Sequence, residues 1–307
     1  MAKASIAVDL FNPGQVFACM GFLEVADVLL GGAEGGFDWT NQSEVRFQLH
    51  AGKNEGNPFE AVLQFLVEAK IERLVPESYA DPPAKKSQDK KKEKKGKKGN
   101  QSAADGNEDS TADAPLRQIG TFPAGKADPM ILPLRFSVGN RILDVSHWCD
   151  ASSRNSFKLF AGQQRSDAIS RQMLEKIGEL WKSRRAELVS KPFDLTVPLS
   201  GSSFKFDARK SWMAIDVGYS PDKQKHHVEA SPIVEMLAAI GLEHARPDEY
   251  ETREVCYGVW RGYVPPILAR PILGGSSMGI PIRLFRFTLD LAGKNKNVTF
   301  ATEETQV

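Results

Sequence analysis

Side chains that can bind a ligand concentrate between residues 150 and 171. Seven of them donate hydrogen bonds of the kind that phosphates and base edges accept. They are Arg154, Asn155, Lys158, Gln163, Gln164, Arg165 and Arg171. From Arg154 to Arg171 there are four basic residues against one acid, and a helix start adds backbone N–H groups. This combination is typical of a nucleic-acid interface, although an ordinary solvated loop fits the same residues.

An amphipathic helix follows this loop and would hold it in place. Its apolar residues recur at spacings of three, four and seven, which predicts one buried helical face. They are Ile169, Met173, Ile177, Leu180, Trp181 and Leu188. Ser166 or Asp167 is the expected N-cap, because short polar side chains accept hydrogen bonds from the first turn. We therefore expect an anchored helix that displays the loop 152–165.

A second group of residues could bind a metal ion. Asp222, His226, His227 and Glu229 lie close together in the sequence, and carboxylates with histidines could serve a metal-dependent nuclease. Adjacent histidines in a strand point to opposite faces, however, so His226 and His227 do not readily chelate one ion. A charged hairpin turn explains the same residues, and we expect neither a metal nor another cofactor.

Motif searches give little support for catalysis. The chain contains no HExxH and no GxxxxGK[ST]. The glycine-rich segment 274–279 lacks the lysine and hydroxyl pair of a phosphate-binding loop. It predicts a turn, although its backbone amides could touch a phosphate. The sequence therefore favours a binding protein over an enzyme.

The lysine-rich tract 85–98 dominates the charge distribution. Its nine lysines and two acids contribute +7 to a chain with a net charge of +1, so the remainder carries −6. Any nucleic acid would therefore be held by local patches, because the folded part has no general positive field. The tract itself is interpreted either as a basic arm on nucleic acid or as a solubilising linker.

Cysteine usage and hydropathy indicate the compartment. Cys19, Cys149 and Cys256 are odd in number and form no CxxC pair, which argues against a zinc ribbon or a disulfide scaffold. No apolar run approaches the roughly 18 residues that span a bilayer, and no signal peptide opens the chain. We expect a cytoplasmic protein without a membrane partner.

The order of the elements predicts an α+β (mixed α/β) fold. We expect largely antiparallel or mixed sheets packed with about four helices, plus a long disordered lysine-rich insertion. Asn12-Pro13, Asn57-Pro58 and Ser231-Pro232 each combine a cap with a proline at the first helical position. Strands are expected near residues 3–9, 45–49, 131–136, 141–145, 194–199, 203–207, 211–217, 255–260, 280–290 and 297–302.

Three parts are predicted along the chain. Residues 1–76 form an N-terminal α/β part, residues 77–128 a disordered linker, and residues 129–307 a C-terminal α+β part. The linker holds too few large apolar residues to offset its chain entropy. Within the ordered parts, Gly35-Gly36 and the prolines after Trp260 predict turns.

Three segments resemble a known family. Residues 8–24 read VDLFNPGQVFACMGFLE, residues 157–164 read FKLFAGQQ, and residues 231–242 read SPIVEMLAAIGL. All three are similar to the Csb proteins encoded in type I-U (I-G) CRISPR loci. The lysine-rich tract is not part of this resemblance.

The resemblance implies a subunit of a crRNA-guided Cascade surveillance complex. The implied role is that of the large subunit, which reads the PAM on target double-stranded DNA, with the other Cascade subunits and crRNA as partners and a helicase-nuclease recruited later. In such complexes base pairing reads the sequence and protein reads backbone, shape and a short flanking motif. The alternative role is a crRNA-binding backbone subunit with ferredoxin-like strands, in which Gly274–Gly279 would hold the RNA.

Overall fold

The protein has a mixed α+β fold, as the sequence predicts. The computed structural model describes residues 2–52, 56–80, 113–149, 157–199, 203–210, 229–292 and 295–304. Within these ranges the strands pair in antiparallel sheets, with one parallel pair. The fold class predicted from alternating apolar patterns is therefore confirmed.

Five helices lie in the described ranges. They are α1 Pro13–Leu30, α2 Pro58–Glu68, α3 Ser166–Ser190, α4 Pro232–Gly241 and α5 Pro266–Leu273. Asn57 and Ser231 cap α2 and α4 as predicted, because their side-chain oxygens accept hydrogen bonds from N–H groups of the first turn. Helix α5 was missed, since its prolines predicted a turn. Pro266 instead occupies the first helical position, where proline is tolerated.

Fourteen strands complete the described structure. They are β1 Ala2–Ala7, β2 Glu34–Asp38, β3 Arg46–Ala51, β4 Lys70–Pro76, β5 Leu116–Ile119, β6 Leu134–Val138, β7 Arg141–Val145, β8 Val197–Pro198, β9 Glu229–Ala230, β10 Asp248–Glu251, β11 Glu254–Trp260, β12 Ile282–Ala292, β13 Asn295–Val298 and β14 Thr302–Glu303. Strands β12 and β13 pair antiparallel, at Leu289 with Val298 and on to Ala292 with Asn295. The strand predicted at 211–217 lies outside the described residues.

The first sheet has the order β1-β3-β2, with both pairings antiparallel. Helices α1 and α2 contact this sheet, and Phe47 and Leu49 of β3 are fully buried. Gly35 and Gly36 lie in β2, so the turn predicted there is wrong. Gly35 is extended because it exchanges two backbone hydrogen bonds with Val264. Gly36 has no room for a side chain, since a Cβ there would lie 1.7 Å from the carbonyl oxygen of Gly262.

Strand β4 precedes the lysine-rich tract 85–98 and pairs with two strands, β5 and β6, that follow it. Its sheet has the order β5-β4-β6-β7, in which β5 is parallel to β4 and β6 is antiparallel. The described chain resumes at Asp113, and β5 lies inside the range 77–128 that was predicted to be disordered. Residues 116–119 form a strand there because pairing with β4 satisfies the backbone of a segment poor in apolar residues.

The last sheet has the order β10-β11-β12-β13, with β14 also paired to β12. Strand β11 confirms the strand predicted at 255–260, whereas the exposed strand β10 was missed. Residues 203–207 do not form the predicted strand. The N–H groups of Lys205 and Asp207 instead donate to the carboxylate of Glu235.

Helix α1 is, by length and composition alone, long and apolar enough to cross a membrane. Its mean hydropathy over 18 residues is 1.4, yet 78% of that window is buried inside the protein. Such burial is typical of a core helix. The apolar character of α1 is explained by its neighbours on several sides.

Close contact between α1 and α4 depends on glycine. A Cβ on Gly21 of α1 would lie 2.1 Å from the carbonyl oxygen of Leu237 in α4. In the other direction, a Cβ on Gly241 would lie 2.2 Å from the carbonyl oxygen of Phe17. The two backbones can therefore approach only because both positions lack a side chain.

We expect Gly21→Ala to lower the free energy of unfolding by about 2–4 kcal/mol, because the added methyl group must push two helix backbones apart. Urea denaturation measures the change. The matched control is Gly178→Ala in α3, where a Cβ would meet nothing within 4 Å. This control should be stabilised by about 0.5–1 kcal/mol, since alanine favours helix over glycine. Equal effects of the two substitutions would contradict the close-approach argument.

A buried polar cluster lies at the start of α1 and α4. Asp207 accepts hydrogen bonds from the Asn12 side chain at 2.9 Å, from the Ser231 N–H at 2.9 Å and from the Arg209 guanidinium. Asn12 was predicted to cap α1, but its side chain makes no capping hydrogen bond there. It binds Asp207 and the N–H of Ala208 instead, which ties the two helix starts to the same loop.

Two buried side chains, Glu235 and His147, have strongly shifted pKa values. Burial raises the pKa of Glu235 to about 7, against an ordinary 4.5. Burial lowers the pKa of His147 to about 4, against an ordinary 6.5. Between pH 4.5 and 7 the folded state therefore binds more protons at Glu235, and stability falls as pH rises. Between pH 4 and 6.5 it binds fewer at His147, and stability rises.

We expect Glu235→Gln to change the pH dependence of stability. In the parent protein, the loss of stability with rising pH that Glu235 causes partly cancels the gain that His147 causes. Glutamine at position 235 does not titrate, so the variant should become more stable from pH 4.5 to 6.5. The two curves should diverge by an amount on the order of 2–3 kcal/mol across this range. Urea denaturation at a series of pH values tests this. Parallel curves would show that Glu235 is not a buried titrating group.

Candidate nucleic-acid interface

Aromatic side chains anchor the loop that precedes α3. Phe157, Leu159 and Phe160 are buried, and the ring of Phe157 meets Phe17 of α1 edge-on at 6.1 Å. Phe160 packs against Trp148 and Phe204 at 6.3 and 5.8 Å. The apolar residues of the loop point inward, so its polar residues are held at defined places on the surface.

Lys158 is half-buried beside its own loop. Its ammonium group donates to the carbonyl oxygen of Phe160 at 2.6 Å and lies 4.3 Å from the centre of the Phe160 ring. Burial lowers the pKa of Lys158, and the charge of Asp128 opposes that shift. The lysine therefore helps to hold the loop, and its remaining N–H donors are what it can offer a ligand.

The amide side chains divide between the surface and the loop. Gln163 is exposed, whereas the Oε1 atom of Gln164 accepts the N–H of Ala161 at 3.2 Å. Arg154 and Asn155 lie outside the described residues. Of the two described glutamines, Gln163 is therefore the more accessible to a ligand.

Arg165 is bound to two carboxylates. Its guanidinium donates to both oxygens of Asp167, at 3.0 and 2.7 Å, and to Asp113. Desolvation lowers the pKa of Arg165, but the hydrogen bonds to Asp167 and Asp113 outweigh it and raise the pKa. Much of its donor capacity is used within the protein, which weakens its case as a phosphate ligand.

Two further arginines complete an ion-pair cluster of Arg73, Arg165, Arg171, Asp113 and Asp167. Arg171 lies 3.5 Å from Asp167, and Arg73 lies 3.6 Å from Asp113 while donating to the carbonyl oxygen of Ala114 at 2.7 Å. Three cations face two anions. The cluster fastens α3 to β4 and to residues 113–114. Its five charged side chains sum to one positive charge.

The sequence predicts that Ser166 or Asp167 caps α3. Neither caps the helix: Ser166 donates to the carbonyl oxygen of Leu132 at 2.8 Å, and Arg165 occupies the N-cap position without a capping bond. Burial raises the pKa of Asp167, but the hydrogen bond and charge of Arg165 prevail and lower it.

Sequence reasoning missed Arg73 and Asp113, because nothing in their surroundings distinguishes them from ordinary surface charges.

The other candidate residues separate from this region. Asp222, His226 and His227 lie outside the described residues, while Glu229 is exposed and accepts a hydrogen bond from Thr196 at 2.6 Å. Within the described ranges, no three His, Cys, Asp or Glu residues are grouped to hold a metal. The metal-site hypothesis thus gains no support from the described residue, Glu229.

The glycine-rich segment connects α5 to β12. Gly275 and Gly279 adopt positive φ angles of 87° and 74°, as a turn requires. Residues 275–279 also match the pattern GxSxG, which the sequence reasoning overlooked. A nucleophile elbow places that pattern between a strand and the helix after it, whereas here it follows a helix and precedes a strand. The arrangement gives Ser277 no elbow geometry.

Comparison with protein-family models, with curated proteins and with solved structures finds no match to this chain.

Asp167→Asn should destabilise the protein by about 2–4 kcal/mol, because Arg165 and Arg171 lose a buried anionic partner. Glu175→Gln on the same helix is the matched control, since Glu175 is exposed and forms no ion pair with a described residue. It should change stability by less than about 0.5 kcal/mol. Urea denaturation compares the two. A loss of similar size in the control would show that charge on α3, and not the ion-pair cluster, sets the effect.

Proposed function

We propose that this protein is a non-catalytic, cytoplasmic subunit of a type I-U (I-G) CRISPR Cascade complex, which binds crRNA and target DNA and contributes to PAM recognition. The proposal assigns it to antiviral defence, with the other Cascade subunits as neighbours and a helicase-nuclease recruited after target capture. The basis is the resemblance of three sequence segments to Csb proteins, together with where those segments lie.

The observation that carries the proposal is the convergence of the three segments. Residues 8–24 include the first part of α1, residues 231–242 include α4, and these two helices meet through Gly21 and Gly241. The third segment, residues 157–164, reaches the same place through the contact of Phe157 with Phe17. The resemblance therefore concerns the centre of the fold, which is what related proteins share when their surfaces differ.

One observation favours the alternative role, a crRNA-binding backbone subunit. The first six elements follow the order β1-α1-β2-β3-α2-β4, and three of the strands form the sheet β1-β3-β2. This is the element order of ferredoxin-like domains, an arrangement that RNA-recognition domains also use. Strand β4 departs from it, since it joins β5 and β6. Fold analogy alone does not assign a function.

A tagged pull-down tests the assignment to the complex. The protein is co-expressed with the neighbouring locus genes and a CRISPR array, and we expect a discrete short RNA and other subunits in fixed ratio. One copy per complex supports the large-subunit role, whereas several copies support the backbone role. Recovery of the protein alone and free of RNA would overturn the proposal.

A salt titration tests the loop. Replacing Arg154 and Lys158 with alanine should weaken DNA binding and reduce the slope of log affinity against log salt by about one for each phosphate that is no longer bound. Arg165 is left intact because its replacement would disturb the ion-pair cluster. Lys182→Ala, at an exposed position further along α3, is the control and should leave the slope unchanged. An unchanged slope in the double variant would exclude the loop from the interface.

A further inference from the structure

Phe11 is held outward by a rigid turn. The Asp9 carboxylate accepts the N–H of Phe11 at 2.9 Å, and the N–H of Asn12 donates to the carbonyl oxygen of Asp9 at 3.2 Å. The side chain of Gln15 accepts the N–H of Asp9 at 2.8 Å. Although one edge of Phe11 contacts Phe285, the side chain remains 45% exposed. A side chain on a backbone fixed in this way loses less conformational entropy on binding than one on a mobile loop.

A second phenylalanine is exposed beside it. Phe300 is 49% exposed, and the N–H of its neighbour Ala301 donates to the carbonyl oxygen of Phe11 at 2.7 Å. The segments that carry Phe11 and Phe300 are therefore joined by a backbone hydrogen bond. Two large exposed aromatic side chains on segments joined in this way are typical of a surface that another molecule covers.

A groove of about 360 Å³ runs past Phe11. Its walls include three acids, Asp9, Glu44 and Asp194, and one base, Arg283. Arg283 is paired with Glu303, and Glu44 with Arg46. Among the described residues, no ion pair involves Asp9 or Asp194. Counting only the residues that the structure describes, the groove thus presents two negative charges without an ion-pair partner beside the exposed ring of Phe11, and the segment that carries Phe300 adjoins it.

This charge selects between the two kinds of macromolecule that exposed aromatic residues bind. Nucleic acid would stack bases on Phe11 and Phe300, but its phosphates would lie against Asp9 and Asp194 and be repelled. A protein segment with an apolar side chain next to lysine or arginine matches both features. The volume of the groove suits a few side chains of an extended segment.

We propose that this groove, lined by Asp9, Phe11 and Asp194, is together with the adjoining exposed Phe300 the docking surface for an extended basic-apolar segment of a neighbouring subunit. The choice of a subunit as the source rests on the proposed function, whereas the chemistry of the segment rests on the groove alone. The apolar side chain would lie against the phenylalanines, and the basic side chain would approach the two aspartates.

Selection of random peptides displayed on phage tests the chemistry without any assembly. On the full-length protein, the enriched peptides should pair an aromatic or aliphatic residue with lysine or arginine. Asp194→Lys and Phe300→Ser should each weaken the binding of such a peptide by about tenfold or more. Enriched peptides whose binding is unaffected by both substitutions would overturn the proposal, as would the absence of any enriched motif.

Matched controls separate this surface from general effects. Ile142→Ser removes a side chain that is 47% exposed on another strand, and Glu175→Lys reverses an exposed acid on α3. Both should bind the peptides as the parent protein does. Weaker binding in either control would attribute the effect to general surface charge or apolarity and contradict the proposal.

The complex itself supplies the second measurement. In co-expressed preparations, Asp194→Lys and Phe300→Ser should lower the recovery of one neighbouring subunit by about tenfold, while the isolated variants bind DNA and RNA as before. If peptides bind the groove but no subunit is recovered with the parent protein, the groove chemistry stands and the proposed function fails. Loss of nucleic-acid binding in the isolated variants would instead make nucleic acid the occupant and overturn the docking proposal.

Discussion

The contact between α1 and α4 is the constraint on which the rest of the fold depends. Two glycines allow the helices to touch backbone to backbone, and Asp207 holds their first turns to one loop. The first sheet packs against α1, and the loop before α3 reaches it through Phe157. A side chain at either glycine would move elements that lie far apart in the sequence.

Much of this architecture could be predicted from local patterns. The cap-proline pairs located the starts of α2 and α4, and alternation of Phe47 and Leu49 with polar neighbours located β3. Failures occurred where distant partners decide the structure. Gly35 and Gly36 extend because residues 261–264 lie against them, and residues 203–207 avoid a ladder because Glu235 accepts their N–H groups.

The candidate interface shows the same limit. Its loop residues were identified from composition, and the aromatic residues between them do anchor the loop. Pattern alone gave no sign that Arg165 would pair with Asp113, which is 52 positions earlier in the chain. Charged side chains look alike in sequence whether they face solvent, a buried carboxylate or a ligand. Only the position of the partner separates a structural arginine from one that can bind.

The position of β4 between β5 and β6 has a practical consequence for protein engineering. The chain leaves β4 at Pro76 and has rejoined it by the pairing of Leu116 with Arg73, so exit and return lie roughly 10 Å apart along a single strand. Lengthening a closed connection adds only about 0.6 kcal/mol for each doubling. A fluorescent reporter or affinity tag could therefore be inserted between these strands without any addition before β1 or after β14.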